Sequence, residues 1–284
     1  MLESLPKFRK ELGQIVFNHL IYPPSPSSAR FTPVVEDYGH NYHFEDIFCG
    51  YGKDMNQLLQ LCGDGKSVVL DLGGGTGRLS QLLALQSKSV TLLDISDSML
   101  EIARRKRQYL PAKFQARYQI EKGDAAQFAL YSRFDYVFGL ADAVAHLPSE
   151  AAILSCFKSV REHLAPEGVF VFDTHHRPYL ENQRDWLSGI WNYISDVSIA
   201  GKKQRVWQQV RATESPNRFH LSHAVSRNLR RYVLASSVVF ILHVGDWTNL
   251  LNRAGLHVLS VCGGWNSEPV NENSSYLRFF TRAI

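Results

Sequence analysis

Val68-Val69-Leu70-Asp71-Leu72-Gly73-Gly74-Gly75-Thr76-Gly77 is an apolar run of strand length ending in a carboxylate and a glycine-rich turn, after which Leu79, Leu82 and Leu83 begin a helical spacing. Strand, glycine turn and helix in that order present bare backbone at the carboxyl edge of a sheet, where a ligand can lie directly against it. The same alternation continues outward. Short apolar runs at Val90 to Ile95, Tyr118 to Glu121, Phe134 to Leu140 and Val169 to Asp173 are separated by longer amphipathic segments. Before the last of these, Ile153, Phe157, Val160 and Leu164 form a helix stripe that Ala165-Pro166-Glu167-Gly168 closes. Parallel strands joined by crossover helices produce this texture, so the expected fold is α/β with a doubly wound sheet.

Beyond Asp173 the texture changes. Trp191 to Ile199, Gln204 to Ala212, Phe219 to Val225 and Arg231 to Val244 are β-rich runs with polar interruptions, as in an antiparallel layer. Gly245-Asp246-Trp247-Thr248 then opens a short helix, followed by strands near Leu256 to Cys262 and Tyr276 to Arg282. At the other end, Leu5, Phe8, Leu12, Ile15, Val16 and Leu20 predict an amphipathic helix over residues 5–21, broken by a Pro/Ser linker from Tyr22 to Ser28. The expected organisation is an N-terminal helix and linker (1–37), an α/β core (38–184), an antiparallel β insert over the site (185–244) and a final helix and strand pair (245–284).

Composition narrows the function classes. The chain has 284 residues, 45% of them hydrophobic, enough for one main core with an elaboration. Its net charge of +4 is spread along the chain apart from Arg104-Arg105-Lys106-Arg107, read as the solvated C-terminal face of a helix, so no nucleic-acid partner is expected. Cys49, Cys62, Cys156 and Cys262 have neither disulfide-framework nor zinc spacing, which suits a reducing cytoplasm. Neither a secretory signal nor a run of about 18 apolar residues occurs, and no membrane association is expected. The N-terminal helix or the aromatic insert offers a homodimer contact.

The glycine turn decides between cofactors. A dinucleotide fingerprint GxGxxG counted from Gly73 and Gly75 requires glycine at position 78, which is Arg78; the spacing present is GxGxG at 73, 75 and 77. A ligand with a sulfonium and an ammonium in place of a pyrophosphate suits a turn that contains Asp71. Asp94 ends the second strand, where a carboxylate accepts both ribose hydroxyls; it can equally belong to the cap of the next helix with Ser96 or Asp97. In Gly123-Asp124-Ala125, after the third strand, the carboxylate can receive an adenine amine and the adjacent N–H a ring nitrogen, or Asp124 is an ordinary turn residue.

Asp71 to Gly77, Asp94-Ile95-Ser96, Gly123-Asp124-Ala125, Phe134-Asp135-Tyr136-Val137 and Leu164 to Gly168 together resemble the successive motifs of seven-stranded, Rossmann-like S-adenosyl-L-methionine-dependent methyltransferases. The match runs over residues 67–173 and more weakly to the end. Upstream, Phe44-Glu-Asp-Ile-Phe48-Cys-Gly50-Tyr51-Gly52 is similar to the lead-in of natural-product aminosugar N-methyltransferases, which carry tyrosine where this chain has Phe44 and Phe48; Tyr38, Tyr42 or Tyr51 stand in for those hydroxyls. The resemblance implies a donor site of Tyr42, Asp71, Gly73, Gly74, Gly75, Asp94, Ile95, Met99, Asp124, Ala125 and Leu140, with S-adenosyl-L-homocysteine as product.

The acceptor side is read from the next two strand ends. His146, in Ala141-Asp142-Ala143-Val144-Ala145-His146, sits where the resembling aminosugar enzymes also place a histidine, and its ordinary pKa suits a general base; alternatively it only hydrogen-bonds backbone. His175 and His176 follow the fifth strand and are expected to face the same crevice, His175 as a second catalytic candidate. With Asp142 the two also imitate a metal-binding acceptor site, although no metal is the favoured reading. Trp186, Trp191, Tyr193 and Trp207 with Arg205, Arg211 and Arg218 either roof an acceptor or form the insert's own core; core is favoured for most of them. The expected function is methyl transfer to N or O of a small natural-product or modified-sugar acceptor. The alternatives are carboxyl O-methylation of a peptide or small acid, and a binder of S-adenosylmethionine without catalysis. A nucleic-acid methyltransferase usually carries an Asn/Asp-Pro-Pro-aromatic run where this chain reads Gly139-Leu140-Ala141-Asp142.

Overall fold

A computed structural model describes residues 53–62, 65–182, 192–199, 202–228, 231–264 and 267–284. Tyr42, the helix expected over 5–21, the lead-in from Phe44, and Trp186 and Trp191 lie outside the described residues.

The glycine turn stands where the sequence places it. Strand β1 (Val68–Leu72) precedes it and helix α2 (Arg78–Gln86) follows, with α1 (Lys53–Leu61) ahead of both. Then come β2 (Ser89–Asp94), α3 (Asp97–Gln108), the single turn α4 (Ala112–Gln115), β3 (Tyr118–Lys122), β4 (Phe134–Gly139), α5 (Glu150–His163), β5 (Leu164–His175) and α6 (Arg177–Asn182). Four long strands follow: β6 (Asn192–Ile199), β7 (Lys202–Ala212), β8 (Arg218–Asn228) and β9 (Arg231–Phe240). Helix α7 (Val244–Arg253), β10 (Leu256–Cys262) and β11 (Tyr276–Ala283) end the chain.

Among the described residues these strands form a seven-stranded sheet in the order β10-β11-β5-β4-β1-β2-β3 and a separate antiparallel sheet β6-β7-β8-β9. β1 pairs in parallel with both β2 and β4, Asp71 standing opposite Leu92 and Phe138. The chain direction of winding reverses there, and the crevice beyond the carboxyl ends of β1 and β4 is where a ligand fits in such sheets. β11 enters antiparallel beside β5, so Tyr276 faces His175 and Arg278 faces Asp173 across the ladder.

Both faces of the large sheet are covered, which is why its central strands β1, β2, β4 and β5 are mostly apolar. On one side Leu58, Leu82, Leu83, Leu100 and Ala103 from α1, α2 and α3 pack on Val69, Leu92, Phe138 and Val171. On the other, Phe157 of α5 and Trp247 of α7 meet Phe170, Phe172 and Phe279, with the Phe172 and Phe279 rings stacked 4.8 Å apart. Val210, Phe219, Leu221 and Val239 join that second layer, so the small sheet lays its apolar face over the same core.

Two local readings are corrected. Leu164 opens β5 instead of continuing the helix stripe, and Ala165 to Gly168 belong to that strand: the Leu164 N–H still bonds the Val160 carbonyl, but its backbone is extended and it pairs with Phe134. The Arg104 to Arg107 run is not all solvated. Lys106 is 1% exposed and donates to Thr76 Oγ1 at 2.9 Å, while Arg107 donates to the Gln115 carbonyl. Lys106 falls three and seven residues after Ala103 and Met99, on the buried stripe of α3. No helix among the described residues is long and apolar enough to cross a membrane.

Candidate active site

The turn after β1 is tied down by backbone and by one side chain. Gly73 and Gly74 donate to the Leu93 carbonyl, and Gly75 donates to Asp94 Oδ2 at 2.8 Å while Ser96 donates to Asp94 Oδ1 at 2.9 Å. Gly73 has φ +66°, and a Cβ there would stand 2.8 Å from the Ala143 Cβ of the loop after β4. Bare glycine therefore keeps two strand ends in contact and leaves the turn open to a ligand. Asp71 lies under this turn: 3% exposed, its Oδ2 accepts both the N–H (3.1 Å) and the hydroxyl (2.6 Å) of Ser80, and burial pushes its carboxyl up to about 6.

Around the turn, Asp94 is half-buried and burial raises its carboxyl too. Ile95 beside it is 60% exposed, an apolar side chain with one open face. Asp124, at the adjacent strand end, is exposed and turns one oxygen to the Ala126 N–H at 2.8 Å, and Ala125 packs against the core. Met99 is buried in the first turn of α3, its N–H on Ser96 Oγ, and Leu140 is buried at the end of β4. A glycine cradle and an open apolar side chain between two strand-end carboxylates fit a nucleoside with a cationic tail. The third glycine of a dinucleotide fingerprint, which lets the helix pack closely on the strand, is Arg78 here, so the turn departs from the pattern of pyrophosphate-binding folds.

The second half of the crevice begins where β4 ends. Ala141 (φ 54°) and Asp142 (φ 59°) are consecutive non-glycine residues in the left-handed region, a conformation that costs on the order of 1–3 kcal/mol each and persists only where the surroundings enforce it. The kink seats Asp142, 4% exposed, against β5. Its N–H donates to Asp173 Oδ1 (3.3 Å), its Oδ1 accepts the His175 N–H (3.1 Å), and its Oδ2 lies 2.8 Å from His175 Nδ1. Burial alone would raise the Asp142 carboxyl, but the His175 charge and hydrogen bonds and the nearby His146 hold it below the usual range. On the far side of His175, Nε2 lies 3.1 Å from the Tyr276 hydroxyl, which is also 3.4 Å from Asp142 Oδ2.

His146 is one helical turn further along, its N–H on the Asp142 carbonyl, half-buried, with desolvation pushing its imidazole down to about 4. From the small sheet, His223 bonds Gln208 (2.8 Å) and is pushed down to about 3, by burial first and then by the charges of His175 and His146. His175, His146 and His223 thus converge on one carboxylate. Asp173, raised to about 6 by burial and by Asp142, faces buried Arg278 at 3.6 Å.

His176 departs from expectation. Strand alternation turns it away from His175, and its Nδ1 donates to the Ser274 carbonyl at 2.8 Å. Among the described residues no cluster of His, Cys, Asp and Glu is arranged to hold a metal. Tyr276, His223 and Gln208 were not found from sequence: they are isolated residues in β-rich runs, and only strand pairing brings them to Asp142.

This geometry belongs to a class of enzymes. Residues 69–168 match the family model described as Methyltransferase domain. A protein of Geobacillus sp. (strain WCH70) assigned as a methyltransferase is 30% identical over 238 residues, covering 80% of this chain and 89% of that protein. An S-adenosylmethionine-dependent methyltransferase from Clostridium acetobutylicum shares the fold (TM-score 0.69, 18% identity, 87% of this chain and 98% of that one). So does an amino pentose methyltransferase from Micromonospora echinaspora with S-adenosylmethionine bound (TM-score 0.63, 19% identity, 89% and 100%). The chain belongs to the methyltransferase family, and its seven-stranded fold is the one shared with these S-adenosylmethionine-dependent methyltransferases.

Buried Asp71 should couple donor binding to pH. Burial pushes its carboxyl up to about 6, and a donor with a sulfonium and an ammonium on the turn above it would favour the ionised form. Binding near pH 6 therefore releases protons, and affinity falls as pH drops below 6, by up to about tenfold per pH unit. Calorimetry at pH 6 in two buffers of different ionisation enthalpy measures the release. S-adenosylhomocysteine, without the sulfonium, should release fewer protons; affinity flat from pH 5 to 8 would sink this coupling.

Proposed function

We propose that the chain methylates nitrogen or oxygen of a small organic acceptor, a natural-product or modified-sugar intermediate. One observation carries the reading: a half-buried, neutral His146 beside Asp142, at the strand end that borders the glycine turn through Gly73 and Ala143. In this assignment the open face of Gly73 to Gly75 takes the donor's tail, Asp94 the ribose hydroxyls and Ile95 one face of the adenine. Asp124 and the Ala125 N–H take the adenine edge, and Met99 and Leu140 close the sides. The bound donor supplies a methyl on a good leaving group, so the protein's task is orientation, exclusion of water and removal of the acceptor's proton. His146, uncharged at neutral pH, has a lone pair for the proton of an ammonium acceptor. The fold shared with the amino pentose methyltransferase supports a sugar-sized acceptor, and the small sheet, with Gln208 and His223 on its inner face, decides acceptor choice.

A carboxylate acceptor is less well served. Arg211 and Arg218 alternate onto the strand faces opposite Gln208 and His223, and Arg218 stacks over Phe240 at 5.4 Å. Methyl transfer from labelled donor to a panel of amino sugars, hydroxylated metabolites and acids tests the assignment. With an amine acceptor, whose ammonium proton His146 takes, His146→Ala should lower kcat by about 10²–10⁴-fold. A carboxylate substrate with activity unchanged in His146→Ala would replace this reading by the carboxyl one.

A further inference from the structure

Resting on that reading of the acceptor crevice, the geometry points to a hydroxyl acceptor, whose proton leaves through Tyr276 to His175 held by Asp142. The three groups form a continuous chain of polar contacts: His175 Nδ1 lies 2.8 Å from Asp142 Oδ2, and its Nε2 lies 3.1 Å from the Tyr276 hydroxyl. Both oxygens of Asp142 engage His175, one its backbone N–H and the other its Nδ1, which leaves Nε2 directed at the Tyr276 hydroxyl. Cross-strand register holds the pair, Tyr276 opposite His175 with ring centroids 4.4 Å apart. His175 is 4% exposed while Tyr276 is half-buried, so Tyr276 is the member that reaches an acceptor, and His175 and Asp142 act through it. The charged and titratable groups facing this chain are His146 from its own loop, His223 from β8, and Asp173 paired with Arg278 from β5 and β11.

The chemistry of the acceptor explains why such a chain is needed. An ammonium that has given its proton to His146 attacks through a free lone pair and needs no proton relay during the transfer itself. A neutral hydroxyl is a poor nucleophile until its proton moves, and general-base help then speeds transfer by about 10²–10⁴-fold. In the step, the acceptor O–H proton passes to Tyr276 Oη as the Tyr276 proton passes to His175 Nε2. The acceptor oxygen bonds the methyl carbon while the carbon–sulfur bond breaks, its electron pair staying on sulfur. The products are the methyl ether, the thioether and a protonated His175 facing Asp142, which returns its proton to solvent.

The test compares wild type with Tyr276→Phe and His175→Gln, each first shown by melting and donor calorimetry to fold and to bind S-adenosylmethionine as wild type does. Labelled methyl transfer is followed to phenols, catechols and nucleotide-linked sugars, and in parallel to the corresponding amines. The expected result is transfer to hydroxyl probes, with kcat reduced by about 10²-fold or more in both variants and the donor KM unchanged. The wild-type rate should level off at high pH, while the residual rate of Tyr276→Phe climbs without levelling as the acceptor ionises unaided. Transfer confined to amines, or variants with the wild-type pH profile on hydroxyl probes, overturns the inference but leaves the methyltransferase reading standing. No transfer to either panel by a protein that binds the donor overturns the acceptor reading and this inference with it.

Discussion

Asp94→Ala should abolish measurable donor binding at micromolar protein while leaving the fold in place. The carboxylate accepts the Gly75 and Ser96 N–H groups, so it shapes the glycine turn and begins α3 before any ligand arrives. Each of its oxygens has a second lone pair, and the proposed ribose contact uses those. Hydrogen bonds to a charged group contribute roughly 1.5–3 kcal/mol each, so losing two of them weakens binding by about 10²–10⁴-fold. S-adenosylmethionine and S-adenosylhomocysteine share the ribose, so both should lose affinity by the same factor. Asp94→Asn, which keeps one carbonyl acceptor, should fall between. Calorimetry with both ligands, with NADH as a control, and a melting curve for each variant decide the matter. Binding within threefold of wild type in Asp94→Ala would remove Asp94 from the donor site.

The placement of the residues proposed for the donor was legible because it is local. Asp71, the glycines, Asp94 and Asp124 all stand at the ends of parallel strands, and a strand end followed by a turn is visible in a dozen residues. Depth was not visible: Asp71 reads as part of the turn, yet it lies beneath it on Ser80, because strand β1 is buried on both faces. The acceptor half was only partly legible for a different reason. His175 and His176 are equivalent in sequence, and alternation against β11 alone decides that one meets Asp142 and the other the Ser274 carbonyl. Tyr276 lies 101 residues after His175, and His223 belongs to a sheet whose placement depends on apolar burial over α5 and α7. The left-handed pair Ala141-Asp142 carries little sequence signal: aspartate visits that region more readily than most residues, but alanine is disfavoured there. Lys106 misled for a related reason. A run of four cations looks solvated until the helical period puts one of them on the inner stripe, where the Thr76 hydroxyl accepts from it.

Gly77→Ala should be the most destabilising single-methyl change in the turn. Gly77 caps the N-terminus of α2 with φ +74° and ψ 29°, where an L side chain costs about 1–2 kcal/mol. An added Cβ would also collide with the Tyr118 hydroxyl and press on Leu92 Cδ1 at 3.3 Å. Tyr118 is fully buried in β3, so its ring cannot swing aside, and overpacking of this kind costs about 1–3 kcal/mol. Together these predict a loss of roughly 3 kcal/mol, which for a chain of this size lowers Tm by about 6–12 °C. The two causes separate in a double mutant. Tyr118→Phe removes the oxygen that the methyl strikes but leaves the backbone strain, so Gly77→Ala should cost about half as much in that background. Equal costs in both backgrounds would put the whole penalty on the backbone, and a Tm within 2 °C of wild type for Gly77→Ala would mean that the turn relaxes freely. The donor reports the same distortion independently: Gly77 donates to the Gly74 carbonyl, so displacing it moves the cradle, and affinity for S-adenosylmethionine should fall along with Tm.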